Sequence, residues 1–245
     1  MRRREWHNLR GSADGAIVTT AKREEGTSMG SGTKEEKVVC GPHIGGPNPP
    51  QRTDLVDLFW KGRMSPGLIH YLGTDGFRTV FRNPAEGGGG RKRSIKATRS
   101  SSFDGKASDI CSRDSVTSRT DWKAPLPAWW TIQLRENMTF HPMRYALQHG
   151  FKDGNFVMFH WKLEGFDAGQ NCWVTLIKHA GDAALETASD NGQGYGWAAW
   201  PLSCAHDAYF RAFRVVMACP NASGNNFLCL SGIELYGTLC LERPP

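Results

Sequence analysis

The sequence predicts an all-β fold, an antiparallel sandwich or jelly roll behind a coreless leader, and three observations carry that reading. From about residue 54, short apolar runs are punctuated by glycine, asparagine and proline. One of these runs alternates with a strict period of two. No segment shows a helical apolar stripe capped at both ends.

The first 53 residues contain one aromatic, Trp6, and end in Gly45-Gly46-Pro47-Asn48-Pro49-Pro50. Such a stretch buries too little apolar area to offset the entropy of ordering it, so a mobile leader is expected over 1–53. The sandwich is expected over 54–240 and a short tail over 241–245. Gly87-Gly88-Gly89-Gly90 followed by Arg91-Lys92-Arg93 reads as a flexible loop.

The clearest strand is Phe156 to Glu164. Val157, Phe159, Trp161 and Leu163 share one face of an extended chain, while Met158, His160, Lys162 and Glu164 share the other. Turn chemistry from Gly165 to Asn171 leads into Trp173-Val174-Thr175-Leu176-Ile177, which predicts a hairpin. Similar runs occupy Leu68–Leu72, Trp129–Leu134, Arg144–His149, Tyr209–Met217 and Phe227–Tyr236. In the last, the apolar phase slips from even (Leu228, Leu230) to odd (Ile233, Leu235), and a β-bulge at Gly232 would keep both pairs on one core. Trp129, Trp130, Trp161, Trp173 and Trp200 are expected to be mostly buried.

Composition narrows the function. The 245 residues are 39% hydrophobic and carry a net charge of +6. Half of that charge lies in the leader, and the other half is more than supplied by Arg91, Lys92, Arg93, Lys96 and Arg99, read as a solvated loop, without which residues 54–245 would carry −2. A nucleic-acid footprint needs a broader basic stripe, so no nucleic-acid partner is expected. No apolar run approaches the length of a membrane span, and no apolar stretch follows the basic start, so a secretory leader is not expected. The seven cysteines form no C-x-x-C pair, which points to reduced thiols and to the cytoplasm or nucleus.

Catalytic motifs are weak. Gly26-Thr27-Ser28-Met29-Gly30 matches G-x-S-x-G, but neither the strand nor the helix that such an elbow needs surrounds it. Gly105-Lys106-Ala107-Ser108 lacks the upstream glycine of a phosphate-cradling loop. His141, His149, His160 and His179 make no zinc-ligand spacing. A hydrolase is therefore not expected, nor any metal or cofactor.

Many short motifs in one order then suggest a family. Trp129-Trp130-Thr131-Ile132-Gln133-Leu134, Pro142, Tyr145 and His149 are followed by Trp161 to Gly165, Asp167, Trp173, Leu176 and His179. Trp200-Pro201, Phe210 to Val215 and Leu228 to Gly237 complete the series, with Gly67 to Thr74 and Ser108 to Asp114 upstream. Over roughly 55–238 the chain resembles the discoidin-like (F5/8 type C, galactose-binding-like) β-sandwich of HECT-type E3 ubiquitin ligases and some BTB/POZ proteins. The resemblance implies an eight- or nine-stranded jelly roll that binds through loops at one end and performs no catalysis. Two departures stand out. Gly87–Arg99 largely replaces the family's apolar strand before the Ser-Arg-Asp segment, and Gln133-Leu134-Arg135 stands where Asp-Leu-Gly is usual. No HECT, RING or BTB segment accompanies these motifs, so ligase activity is not expected of this chain.

The residues left for binding are charged and aromatic side chains in predicted loops: Arg113, Asp114, Trp122, Tyr195 and Trp197. Loops on a rigid scaffold carry recognition, and Trp, Tyr and Arg anchor interfaces. Trp122 and Trp197 are open to another reading, as lids over the ends of the barrel. The expectation is a recognition module for a protein partner in ubiquitin-ligase scaffolding. Carbohydrate binding is the alternative, since Trp122 with Arg113 and Asp114 offers a ring and polar partners.

Overall fold

Two antiparallel sheets meet face to face in the computed structural model, which describes residues 53–62, 65–87, 92–151, 155–187, 196–203 and 208–242. The leader up to residue 52, the glycines from 88 to 90, Tyr195 and the last three residues lie outside the described residues.

The chain runs through β1 (Thr53–Leu58), helix α1 (Leu68–Gly73), β2 (Ile95–Arg99), a 3-10 turn (Ala107–Cys111), β3 (Ala128–Leu134) and β4 (Met138–His149). It continues with β5 (His160–Asp167), β6 (Cys172–Ala180), a single helical turn α2 (Ala184–Thr187), β7 (Trp197–Pro201), β8 (Ala212–Met217) and β9 (Leu230–Glu242). One sheet has the order β1-β9-β4-β7, the other β2-β3-β8-β5-β6. This is the antiparallel β-sandwich that the sequence predicts.

Period two builds the core between the layers. From β3, Trp130, Ile132 and Leu134 point inward and meet Phe213, Val215 and Met217 of β8. From the other sheet come Phe140, Tyr145 and Leu147 of β4 with Leu235 and Leu239 of β9. Adjacent residues of a strand face opposite ways, so Trp129 and Trp130 cannot both be inside. Trp130 is buried and Trp129 half-buried, which corrects the expectation for Trp129. Trp173 is likewise half-buried, stacked beneath the Arg214 guanidinium at 4.3 Å. Trp161 and Trp200 are buried as expected.

The expected hairpin is β5–β6, and the expected slip near Gly232 is present. Gln148 pairs with Gly232 and His149 with Leu230, which leaves Ser231 as the extra residue. The β5 strand starts later than its alternation suggests. Phe156 adopts φ 65, a left-handed turn conformation, and Met158 is buried beside Val157.

Two other expectations change. Leu68–Leu72 is not an extended run but helix α1, with Leu68, Ile69 and Leu72 buried at helical spacing. Its first-turn amides have no local cap. They donate instead to the carboxylate of Glu234 on β9, Ile69 at 2.6 Å and His70 at 3.2 Å. The segment Gly87–Arg99 is not wholly a loop either, because Ile95–Arg99 forms β2, paired with β3. Arg99, read as part of a solvated loop, lies over the Trp130 ring at 5.0 Å and donates to the carbonyl of Asp104.

Candidate functional site

On β4, Tyr145 and Leu147 face the core, so Arg144, Ala146 and Gln148 face outward. In register beside them stand Tyr236, Glu234 and Gly232 of β9 on one side, and Pro201, Ala199 and Trp197 of β7 on the other. Alanines at the middle of this outer face leave a hollow, and neighbouring segments deepen it into a cavity of about 250 Å³. Ala146 and Ala199 form its floor, and Trp60, Trp197 and Tyr236 supply aromatic walls. Trp60 meets Tyr236 edge to face, with centroids 5.0 Å apart. The Tyr236 hydroxyl donates to the Ser65 carbonyl at 3.0 Å, which fixes the ring. Gly232 makes room for Trp197: a Cβ there would lie 2.8 Å from the indole.

Three charged groups line the same cavity. Glu234 is buried, and both its oxygens accept backbone N–H groups, those of Ile69, His70 and its own neighbour Leu235. Burial pushes its carboxyl up to about 7, against the pull of those three amides and of Arg113. Arg113 donates to Nδ1 of His70 at 2.7 Å, so that nitrogen accepts and carries no proton. Burial first, and the Arg113 charge second, lower the His70 pKa. Arg144 lies over Trp60, 5.4 Å from the ring centroid. Neither Arg113 nor Arg144 is within ion-pair distance of a carboxylate among the described residues. Arg214, by contrast, holds Glu164 at 2.6 Å on the other sheet.

Of the residues expected from sequence, the structure brings Arg113 and Trp197 to this cavity. Asp114 is exposed beside Arg113 and engaged locally, its N–H donating to Ser112 Oγ. Trp122 is 50% exposed, lines no part of the cavity and has the Lys123 ammonium 5.3 Å from its ring. The expectation for Tyr195 falls outside the described residues. Trp60, Arg144, Glu234 and Tyr236 were not singled out. The alternation of Ile233 and Leu235 already implied that Glu234 and Tyr236 face the other way. Trp60 carried no signal.

A second constellation looks catalytic and is not open to a substrate. Tyr145 OH lies 2.7 Å from His179 Nε2, and His179 Nδ1 lies 2.7 Å from Asp182 Oδ2. Trp161 Nε1 donates to the Tyr145 oxygen at 3.0 Å, so that hydroxyl gives its own proton to His179, which in turn donates through Nδ1 to Asp182. Trp200 Nε1 also donates to Asp182, at 2.8 Å. Tyr145 is fully buried, and His179 is stacked on Trp161 at 4.2 Å. Burial lowers the His179 pKa against the opposing pull of Asp182. Among the described residues, no three His, Cys, Asp or Glu side chains gather as a metal site. No described helix is long and apolar enough to cross a membrane.

No family model matches the chain. It is 32% identical over 177 residues, 70% of its length, to the E3 ubiquitin-protein ligase Ufd4 of Drosophila melanogaster, and this match spans 6% of the ligase. Among solved structures, a family 32 module of Clostridium perfringens in complex with GalNAc-beta-1,3-galactose overlaps 59% of this chain and 96% of its own, with TM-score 0.44 and 15% identity. The family 32 module of NanJ from C. perfringens, in complex with galactose, covers 58% and 93% at TM-score 0.45 and 10% identity. A fucose-binding module of Streptococcus pneumoniae covers 58% and 89% at TM-score 0.42 and 12% identity.

Proposed function

We propose that this chain is a non-catalytic recognition module that docks a protein partner in ubiquitin-ligase-type scaffolding, in the cytoplasm or nucleus. The observation that carries the reading is the cavity on the four-stranded sheet. Aromatic walls and two guanidiniums without a carboxylate partner among the described residues open to solvent there, whereas the acid–base chain of Tyr145, His179 and Asp182 is closed. Rings for desolvated contact and arginines for directed hydrogen bonds are what interface hot spots use. Similarity to a stretch of Ufd4 supports the ligase setting.

Arg113 and Trp197 are proposed as contact residues at the cavity, and Asp114, Trp122 and Tyr195 as further contact residues. Photo-crosslinking in cells, from a reactive amino acid placed at Ser112, should capture one dominant partner. Arg113→Ala with Trp197→Ala should reduce its yield at least tenfold. An unchanged yield would remove the cavity from the function.

A carbohydrate ligand is the second reading, favoured by the half-exposed ring of Trp122 beside Asp121 and Lys123. A glycan array gives signal above background, abolished by Trp122→Ala, if that reading is right.

A further inference from the structure

The partner's chemistry can be read from the charges around the cavity, given that the docking reading holds. Arg113 and Arg144 each bring one positive charge, and Glu234 brings the only carboxylate among the described lining residues. His70, whose Nδ1 accepts from Arg113, is neutral and adds nothing. With Glu234 ionised, the lining carries one uncompensated positive charge. Its oxygens accept the amides of α1 and β9, and among the described residues neither arginine forms an ion pair with it. The guanidiniums are instead parked on rings, Arg144 over Trp60 and Arg113 5.9 Å from the centroid of Phe81. A ring face holds a cation weakly compared with a bidentate carboxylate, so both arginines keep donors for an incoming anion. Around them the surface is aromatic and the floor is alanine.

We infer that the cavity receives an acidic linear segment of the partner: a single carboxylate side chain taken by Arg113 and Arg144, with an adjacent apolar side chain against Trp60, Trp197 and Tyr236. The charge favours one anion over the other. Above the Glu234 titration near 7, one net positive charge among the described lining residues matches a monoanionic carboxylate, whereas a phosphate dianion would add excess negative charge beside the Glu234 carboxylate. Size agrees, since a cavity of about 250 Å³ holds one or two side chains rather than a folded surface. Placing the anion in this partly desolvated hollow makes each guanidinium contact stronger than at an open rim.

The test uses the full chain and fluorescein-labelled peptides read by polarisation. One set carries Glu next to Leu or Phe in an otherwise Gly/Ser background. A matched set has Gln for Glu, and a third has phosphoserine for Glu. The Glu set should bind at least tenfold more tightly than the Gln and phosphoserine sets. Arg113→Ala and Arg144→Ala should each weaken the Glu peptides about tenfold. The Glu-to-Gln exchange leaves the protein untouched, so a misfolded variant cannot produce the result. Equal binding of Glu and Gln sets, preference for phosphoserine, or no binding by any set overturns the ligand class. If crosslinked partner yield still depends on Arg113 and Trp197 in that case, docking stands and only its chemistry is wrong. If that dependence is also missing, the docking reading itself falls.

Discussion

The Tyr145–His179–Asp182 chain and the Glu234 cavity are built from the same materials, a carboxylate, a histidine, tyrosine and tryptophans, with opposite results. In the first, every polar step ends on a partner: Trp161 to Tyr145, Tyr145 to His179, His179 and Trp200 to Asp182. In the second, the carboxylate is fully engaged while two arginines rest on rings. A closed polar chain in a core specifies one packing, because any change strands a donor or acceptor in low dielectric. Unspent hydrogen-bond capacity at an open cavity does little for stability and remains for a ligand. Resemblance to a catalytic triad is therefore a poorer guide to function than an accounting of which charges lack partners.

The contrast can be broken most forcefully at His179. His179→Ala leaves the Tyr145 hydroxyl without its acceptor, deprives Asp182 of one donor and opens a void beside Trp161. Chemical denaturation should show a loss of about 3 kcal/mol. A loss below about 1 kcal/mol would mean the chain is not the structural device described.

Gly67→Ala should cost less, about 2 kcal/mol. A Cβ there would lie 2.5 Å from the Leu235 carbonyl and 2.8 Å from Glu234, forcing α1 off the sheet. Stability equal to that of the parent protein would show that α1 is not pressed against β9.

The two regions should also respond to pH with opposite signs. His179 titrates below its ordinary 6.5 in the fold, so its contribution is whole above 6.5 and drains as pH falls below it. Glu234 titrates near 7 against an ordinary 4.5, so its contribution is whole below 4.5 and drains as pH rises toward 7. Melting curves across pH should lose the second slope in Glu234→Gln and keep the first. If Glu234→Gln left both slopes intact, burial of that carboxyl would not set the neutral limb.

Smallest in stability are the arginines. Arg113→Ala and Arg144→Ala should each move the unfolding free energy by about 0.5 kcal/mol, since a cation on a ring at a partly exposed site contributes little. A drop of several kcal/mol in either would make that arginine a structural member like Arg214.

Much of the fold was legible because strands are local: alternation over Trp161 to Leu163 or Trp130 to Leu134 needs no knowledge of the rest of the chain. The phase slip near Gly232 was legible for the same reason. Helix α1 was not, because its cap comes from Glu234, 165 residues away. Strand β2 was hidden by its basic, serine-flanked sequence, since Arg99 stabilises itself on Trp130 rather than by apolar burial. The site was half legible. Arg113 and Trp197 could be singled out by residue type, although Trp197 opens strand β7 instead of lying in the expected loop, whereas Arg144 and Glu234 sat on strands whose outward faces read as ordinary solvated positions.

The clasp between Glu234 and the first amides of α1 has a mechanical consequence. Lifting the helix would expose a carboxylate that has traded water for three N–H groups, so one flank of the hollow is set before anything arrives. Recognition there should proceed as lock rather than glove: arrival is governed by encounter and field, and residence by how well the visitor fits.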